Sequence, residues 1–261
     1  MEELKRFFRS GLYSFKGIFG FLKPEIYILV KVINPIFMVI FFSLIASHAY
    51  NTKDITPWVV GNAFVLCMYN AFFGVGTELI AERSFGTLKI LIASPTNKFT
   101  ALLSKTLFHI VDSLITVFIG LTTGYIIFNA KIPFDKLHIF FLLLLAAMFS
   151  ACTLGLFVGS IGLISRDINL LLNISSMMLM ALSGVNYPIE KLPWIFQKVS
   201  YIMPLTRSLK GTRMLLNNNL STVYRLLVGE IVLGIIYSLL GYILLKFMEA
   251  MARKKATLDI F

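Results

Sequence analysis

The stretch ERSFGTLKILIASPTNK, residues 82–98, is a long polar interruption between two very apolar segments, and it carries a helical pattern of its own. On a 3.6-residue wheel Phe85, Leu88, Leu91 and Ile92 share one side while Glu82, Gly86 and Lys89 lie on the other, which predicts a short amphipathic helix. Ser94 and Pro95 end it, because the residue before a proline is pushed out of the α region and the ring cannot continue the hydrogen-bond ladder. Thr96 or Asn97 can then cap the next helix. The plain alternative is a solvated loop joining two membrane helices.

The composition decides what lies on either side. The chain has 261 residues, of which 57% are hydrophobic and only 14% charged, and its mean hydropathy is +0.83. That is too apolar for an ordinary soluble domain and points to an all-α, polytopic membrane protein. A net charge of +11 could suggest nucleic acid. The lysines and arginines, however, cluster at the ends of apolar runs, where membrane orientation places them, so no nucleic-acid partner is expected. Cys67 and Cys152 both sit inside apolar runs with no partner at ligand spacing, so they read as small buried packing residues, with neither a metal site nor a disulfide. The basic N-terminus lacks an apolar core followed by a small-residue cleavage site, and no cleaved signal peptide is expected.

Six runs reach the ~20 residues that a hydrocarbon core demands: 25–48, 57–80, 100–128, 136–164, 168–187 and 222–247. Before them, within 1–24, Leu4, Phe8, Leu12, Phe15, Phe19 and Leu22 recur at helical spacing with Lys5, Arg6, Arg9 and Lys16 mostly off the stripe. This predicts an interfacial helix whose basic face meets anionic lipid, or a soluble helix packed on a partner. Basic residues gather in the N-terminal stretch, in 82–98, at Arg166 and at Arg253 to Lys255, whereas the connections 50–56 and 129–135 hold only Lys53 and Lys131. Both termini and 82–98 are therefore expected on the cytoplasmic side of the membrane.

One connection breaks that bias. Residues 188–221 should be outside, yet they carry Lys191, Lys198, Arg207, Lys210 and Arg213. Pro193 suits the first turn of a helix presenting Trp194, Ile195, Val199 and Ile202; Pro204 stops it, and 205–216 can form a second. Two short helices that dip into the outer leaflet and return satisfy their own backbone groups, so 188–216 reads as a re-entrant hairpin; a surface loop with two helical turns is the alternative.

Inside the spans, Lys105, His109, Asp112 and Thr116 follow i, i+4, i+7, i+11 and make one polar stripe. An unpaired charge at mid-span costs about 3 kcal/mol, so Asp112 needs a partner, with His109 and Lys31 as candidates. The stripe is either a hydrated wall of a translocation route or an interhelical pairing that holds the bundle together. Asn173 and Met177 in the fifth span, amid further methionines and serines, suit either an adaptable pathway or an irregular core. Glu230 reads as chiefly structural, Lys31 as snorkelling to the inner interface, and Glu78 as close enough to that interface to be hydrated. Asn34 and Pro35 should kink the first span. Ala147, Ala151, Gly155 and Gly159 form a small-residue face for close helix packing. The chain has no phosphate-binding loop and no catalytic constellation of known spacing, so energy for uphill transport must come from a partner or an ion gradient.

Two motifs together resemble the membrane-spanning permease subunits of type-2 ABC (ATP-binding cassette) exporters. The pattern E-R-x-x-G-T-L-x-x-L-x-x-S-P appears as Glu82, Arg83, Gly86, Thr87, Leu88, Leu91, Ser94 and Pro95. The pattern S-G-x-x-x-P-x-x-x-L-P, then P-L-T and an arginine, appears as Ser183, Gly184, Pro188, Leu192, Pro193, Pro204, Leu205, Thr206 and Arg213. The resemblance implies a dimer of permease subunits, identical or not, driven by a separate cytoplasmic ATPase that holds ATP and Mg; this chain binds no cofactor of its own. It implies that 82–98, with Phe85 on its apolar side, is a coupling helix resting on that ATPase, that 1–24 is a connecting helix, and that 188–216, with Trp194, is the outer hairpin. Lys89 departs from the pattern, which usually has a glutamate after G-T-L. The expected cargo is an amphipathic small molecule such as a drug, peptide antibiotic or lipid, with lipid-linked polysaccharide as the rival. A membrane enzyme using His109 and Asp112 lacks a further acid, base or ligand at that depth, and a gradient-driven carrier lacks the internal repeat many such folds use.

Overall fold

The computed structural model describes residues 9, 13, 23–52, 54–87, 90, 98–130, 134–163, 165, 167–216 and 220–255. Among these the chain is helical, with α1 (Pro24–Ile28), α2 (Asn34–Tyr50), α3 (Thr56–Gly76), α4 (Glu78–Ser84), α5 (Lys98–Phe128), α6 (Leu137–Gly159), α7 (Ile168–Leu182), α8 (Trp194–Ile202), α9 (Thr206–Leu216) and α10 (Leu220–Lys255). The connecting helix expected in 1–24 falls almost wholly outside the described residues.

Local chemistry sets the ends. Asn51 and Asn129 adopt φ of 46° and 52° as they leave α2 and α5, a left-handed turn that asparagine tolerates better than most side chains. Asp54 accepts the Thr56 backbone N–H at 3.1 Å, and Pro57 occupies the first turn of α3, where a missing N–H costs nothing. Between α1 and α2, Leu29–Ile33 form a π-helical turn in which the Asn34 N–H reaches back to Leu29 O. The helix thus absorbs Pro35 by widening the turn before it, so the irregularity expected at Asn34 and Pro35 lies one turn earlier than they do.

Helix α3 is the centre of the bundle. It packs on α5 along one side and on α6 along the other; α10 covers the far side of α6, α9 packs on α10, and α2 leans on α3 and α5. One continuous core of Phe64, Met68, Phe72, Leu143, Met148, Leu172 and their neighbours fills the space between them. Ala147, Ala151, Gly155 and Gly159 face α3 as a close-approach seam: a Cβ on Gly155 would stand 2.4 Å from Phe72 O, and one on Gly159 2.7 Å from Gly76 O. Cys67 and Cys152 are buried free thiols in this region, and the Cys152 thiol donates to Ala71 O at 3.8 Å. By contrast α2 and α10 expose rows of apolar side chains, among them Phe37, Phe41, Val232, Ile236 and Leu240. Water does not tolerate such rows and a bilayer does.

Five helices among the described residues are long and apolar enough to cross a membrane: Glu25–Tyr50, Thr56–Gly76, Lys98–Phe128, Leu137–Gly159 and Leu220–Met251. The fifth of the six expected spans differs. Helix α7 has 15 residues, about 22 Å at 1.5 Å per residue against a ~30 Å hydrocarbon core, because Ser183 and Gly184 (φ 75°) turn the chain. The second expected span also divides, at Thr77, whose hydroxyl bonds back to Phe73 O at 2.9 Å before α4 begins.

The helix drawn around Gly86 is corrected as well. Helix α4 ends at Ser84, Gly86 sits at φ 71°, and the Thr87 N–H closes onto Glu82 O at 2.9 Å. This six-residue closure with a left-handed glycine is a Schellman stop, so one helical wheel cannot run from Glu82 through Gly86. Ile90 is helical again; Leu88, Lys89, Leu91, Ile92 and Pro95 lie outside the described residues.

Candidate functional site

Two pairs spaced four residues apart tie α4 to α5. Glu78 and Glu82 project from one face of α4, and Lys105 and His109 from one face of α5. Lys105 Nζ donates to Glu78 Oε2 at 2.9 Å and also to Glu82 Oε1. The His109 Nε2 lies 2.8 Å from Glu78 Oε1, a contact in which the carboxylate accepts. Space for the imidazole comes from Gly74, where a Cβ would stand 2.4 Å from His109 Nδ1. Glu78 is only 2% exposed, so the expectation that interfacial water hydrates it is overturned: α4 folds it against α5, and side-chain partners replace the water. Taking each ion out of water costs several kcal/mol, and only such complete pairing offsets it.

One turn on, Asp112 pairs with Lys31. Lys31 therefore does not snorkel; it belongs to the π-helical turn, turns inward and supplies the counter-ion that Asp112 needs, while His109, the other candidate, is taken by Glu78. Thr116 continues the stripe, accepting from Asn70 Nδ2 at 2.8 Å. All four stripe residues thus face other helices of this chain and are buried.

Beyond the stripe lies a cavity of about 310 Å³ between α2, α3, α5 and α7. Asn34, Met38, Asn70, Thr116, Asn173 and Met177 line it, with Tyr69, Met68 and Met180. Of the six residues assigned to a pathway from the sequence, the fold brings Thr116, Asn173 and Met177 together at this cavity; Lys105, His109 and Asp112 stay in the paired seam beside it. The π-helical turn meets the cavity through Val30. Its lining combines pliable thioethers with amide and hydroxyl groups, which suits a flexible ligand of mixed polarity. Sequence reading missed Asn70 and Tyr69, since only the crossing of α3 with α5 places them here. The matched four-residue spacings of Glu78/Glu82 and Lys105/His109 were a usable signal for the seam.

At the opposite end, Arg213 Nη2 donates to Gly184 O and Val185 O, both at 2.8 Å. Burial pushes its guanidinium below the ordinary arginine range, against the pull of Tyr50 and Glu190. The left-handed Gly184 is what exposes these carbonyls, so the two halves of the S-G…R motif are parts of one clasp. Pro188 is extended and begins the next short turn, and Pro193 sits just before Trp194 at the start of α8. Pro204 and Leu205 make the turn into α9, Leu205 at φ 79°. Glu230, 0% exposed, holds that turn: its Oε1 accepts the Leu205 N–H at 2.9 Å and the Ser150 hydroxyl.

Near the expected coupling segment, Glu82 bonds Lys105 and the Thr87 hydroxyl, while Phe85, Gly86 and Thr87 are exposed. The side chain of Arg83 lies outside the described residues.

Comparison with known proteins gives the family. The chain is 26% identical over 133 residues to the inner membrane transport permease YhhJ of Escherichia coli (strain K12), a match covering 50% of this chain and 35% of that relative. The permease of the same name from Shigella flexneri matches with the same figures. The family described as ABC-2 type transporter matches residues 16–217, which take in the paired seam, the cavity and the Arg213 clasp. With so much of its length matched, this multi-pass membrane chain belongs to the ABC-2 type transporter family.

Proposed function

We propose that the chain is the permease subunit of an ATP-driven exporter in a bacterial plasma membrane, moving an amphipathic small molecule such as a drug, peptide antibiotic or lipid. ATP and Mg are held by a separate cytoplasmic ATPase, and a second permease subunit completes the pathway. Both termini and 82–98 lie on the cytoplasmic side, with 1–24 as connecting helix and 82–98 resting on the ATPase. Residues 188–216 re-enter the outer leaflet, and α7 with the following turn to Tyr187 makes the fifth of six spans.

The observation that carries this reading is the cavity where Thr116, Asn173 and Met177 meet. It has a mixed lining and opens on a face where Asn34, Tyr69, Asn173 and Met177 are exposed, a face that a second subunit can close. Beside it, the charged seam links α4, which leads into 82–98, to α5, which reaches the cavity. Movement of the ATPase is passed as a rigid-body shift through that seam. Purification with the neighbouring ATPase, followed by a screen for amphipathic compounds that stimulate hydrolysis, tests the reading; failure to bind any ATPase removes it.

Two variants probe its parts. Proline cannot adopt the positive φ of Gly86, so Gly86→Pro, like Leu88→Asp, is expected to leave the protein inserted while hydrolysis no longer drives transport. Unaltered transport by both removes the coupling role. Asp112→Ala releases Lys31, which can extend toward solvent, so the cost to the fold is about 1–3 kcal/mol. The π-helical turn at the cavity loses its anchor, and transport is expected to fall while the yield of folded protein holds. A drop in folded protein alone would reduce Asp112 to a packing role.

A further inference from the structure

The geometry points to α8 as a docking surface for anionic phospholipid headgroups. This nine-residue helix is attached by one narrow edge: Ser200 is its only buried residue, and the Ser200 hydroxyl donates to Leu182 O on α7. Apart from half-buried Gln197 and Val199 the remainder is uncovered, with Trp194 at 66% exposure and Ile195, Phe196, Tyr201 and Ile202 exposed beside it. Such a row needs hydrocarbon against it. The exposed apolar residues of the adjoining α10, whose Tyr237 hydroxyl donates to Ile202 O, include Val232 and Ile236 and make lipid the medium there.

Charge selects among lipids. Residues 188–216 contain five basic side chains and a single acid, Glu190. Two of the bases turn inward, Arg213 onto the Gly184 and Val185 carbonyls and Arg207 against Gly229, where a Cβ would meet its Cδ at 3.1 Å. The three lysines remain at the surface. Lys198 Nζ sits 4.9 Å from the Trp194 ring centroid, and Lys210 Nζ lies 5.7 Å from that of Tyr201. Aromatic rings at the boundary with ammonium groups folded over them place the cations at headgroup depth, with the apolar side chains beneath. An anionic headgroup above its own acyl chains matches both halves of this surface, whereas a zwitterionic one offers no net charge for three lysines to meet.

The test uses the full chain carrying Trp58→Phe, which leaves Trp194 as its one tryptophan, reconstituted in phosphatidylcholine vesicles. Phosphatidylglycerol or phosphatidylcholine with brominated acyl chains is added at equal fraction, and Trp194 quenching is read. The expected result is a preference for the brominated phosphatidylglycerol of roughly threefold or more, shrinking as salt screens it. Lys191→Gln, Lys198→Gln and Lys210→Gln combined should abolish the preference. The salt titration needs no lysine replaced, so it decides the matter if the combined variant fails to fold. Equal quenching by both lipids overturns the proposal, and so does quenching by neither, which would mean that protein covers α8.

Discussion

Lys105→Met is expected to lower the stability of the folded chain by about 3–5 kcal/mol, the usual cost of removing one partner from a buried ion pair. Lys105 is buried between Glu78 and Glu82, bonding both. Methionine fills the volume but removes the cation from between the two carboxylates, of which Glu78 is buried and keeps His109 Nε2 at 2.8 Å. Thermal unfolding of the purified protein and the yield of monodisperse material read the effect. Combining Lys105→Met with Glu78→Gln and Glu82→Gln should recover most of it, because the uncompensated charge is then gone. If the single variant unfolds within about 1 kcal/mol of the unaltered chain, the seam is hydrated and adds little.

Gly155→Val should have a comparable effect for a steric reason. A Cβ at 155 meets Phe72 O at 2.4 Å, and this obstacle is backbone, so no rotamer change relieves it. Helices α3 and α6 would have to separate along their whole small-residue face, a loss on the order of 3 kcal/mol, at the upper end of overpacking costs. Gly120→Ala serves as the control, since its new Cβ would lie 3.4 Å from a Val39 methyl, an ordinary contact; it should cost under about 1 kcal/mol. Equal tolerance of both variants would show that the α3–α6 contact is looser than drawn.

These expectations also mark how far the residues could be read before the fold was known. The stripe from Lys105 to Thr116 was legible because helical periodicity alone puts i, i+4, i+7 and i+11 on one face. Its division into a paired seam and a cavity wall was not, because Glu78, Lys31 and Asn70 reach it from three other elements. Periodicity alone puts Gly86 on a helical wheel because nothing local distinguishes a helical glycine from a left-handed stop; the closure of Thr87 onto Glu82 does.

By itself the sequence determined the all-helical, multi-pass character, five of the six spans it proposed, the helix start beside Pro193 and its stop at Pro204, and the family to which the two motifs point. Hydropathy, periodicity and turn chemistry are properties of neighbouring residues, and neighbours suffice to state them. Only the tertiary structure decided that α7 stops after 15 residues, that Lys31 turns inward to Asp112, and that Arg213 clasps the Gly184 turn. Each of these depends on which distant group occupies the space beside a side chain, and a buried charge settles with whatever partner the packing of other helices supplies.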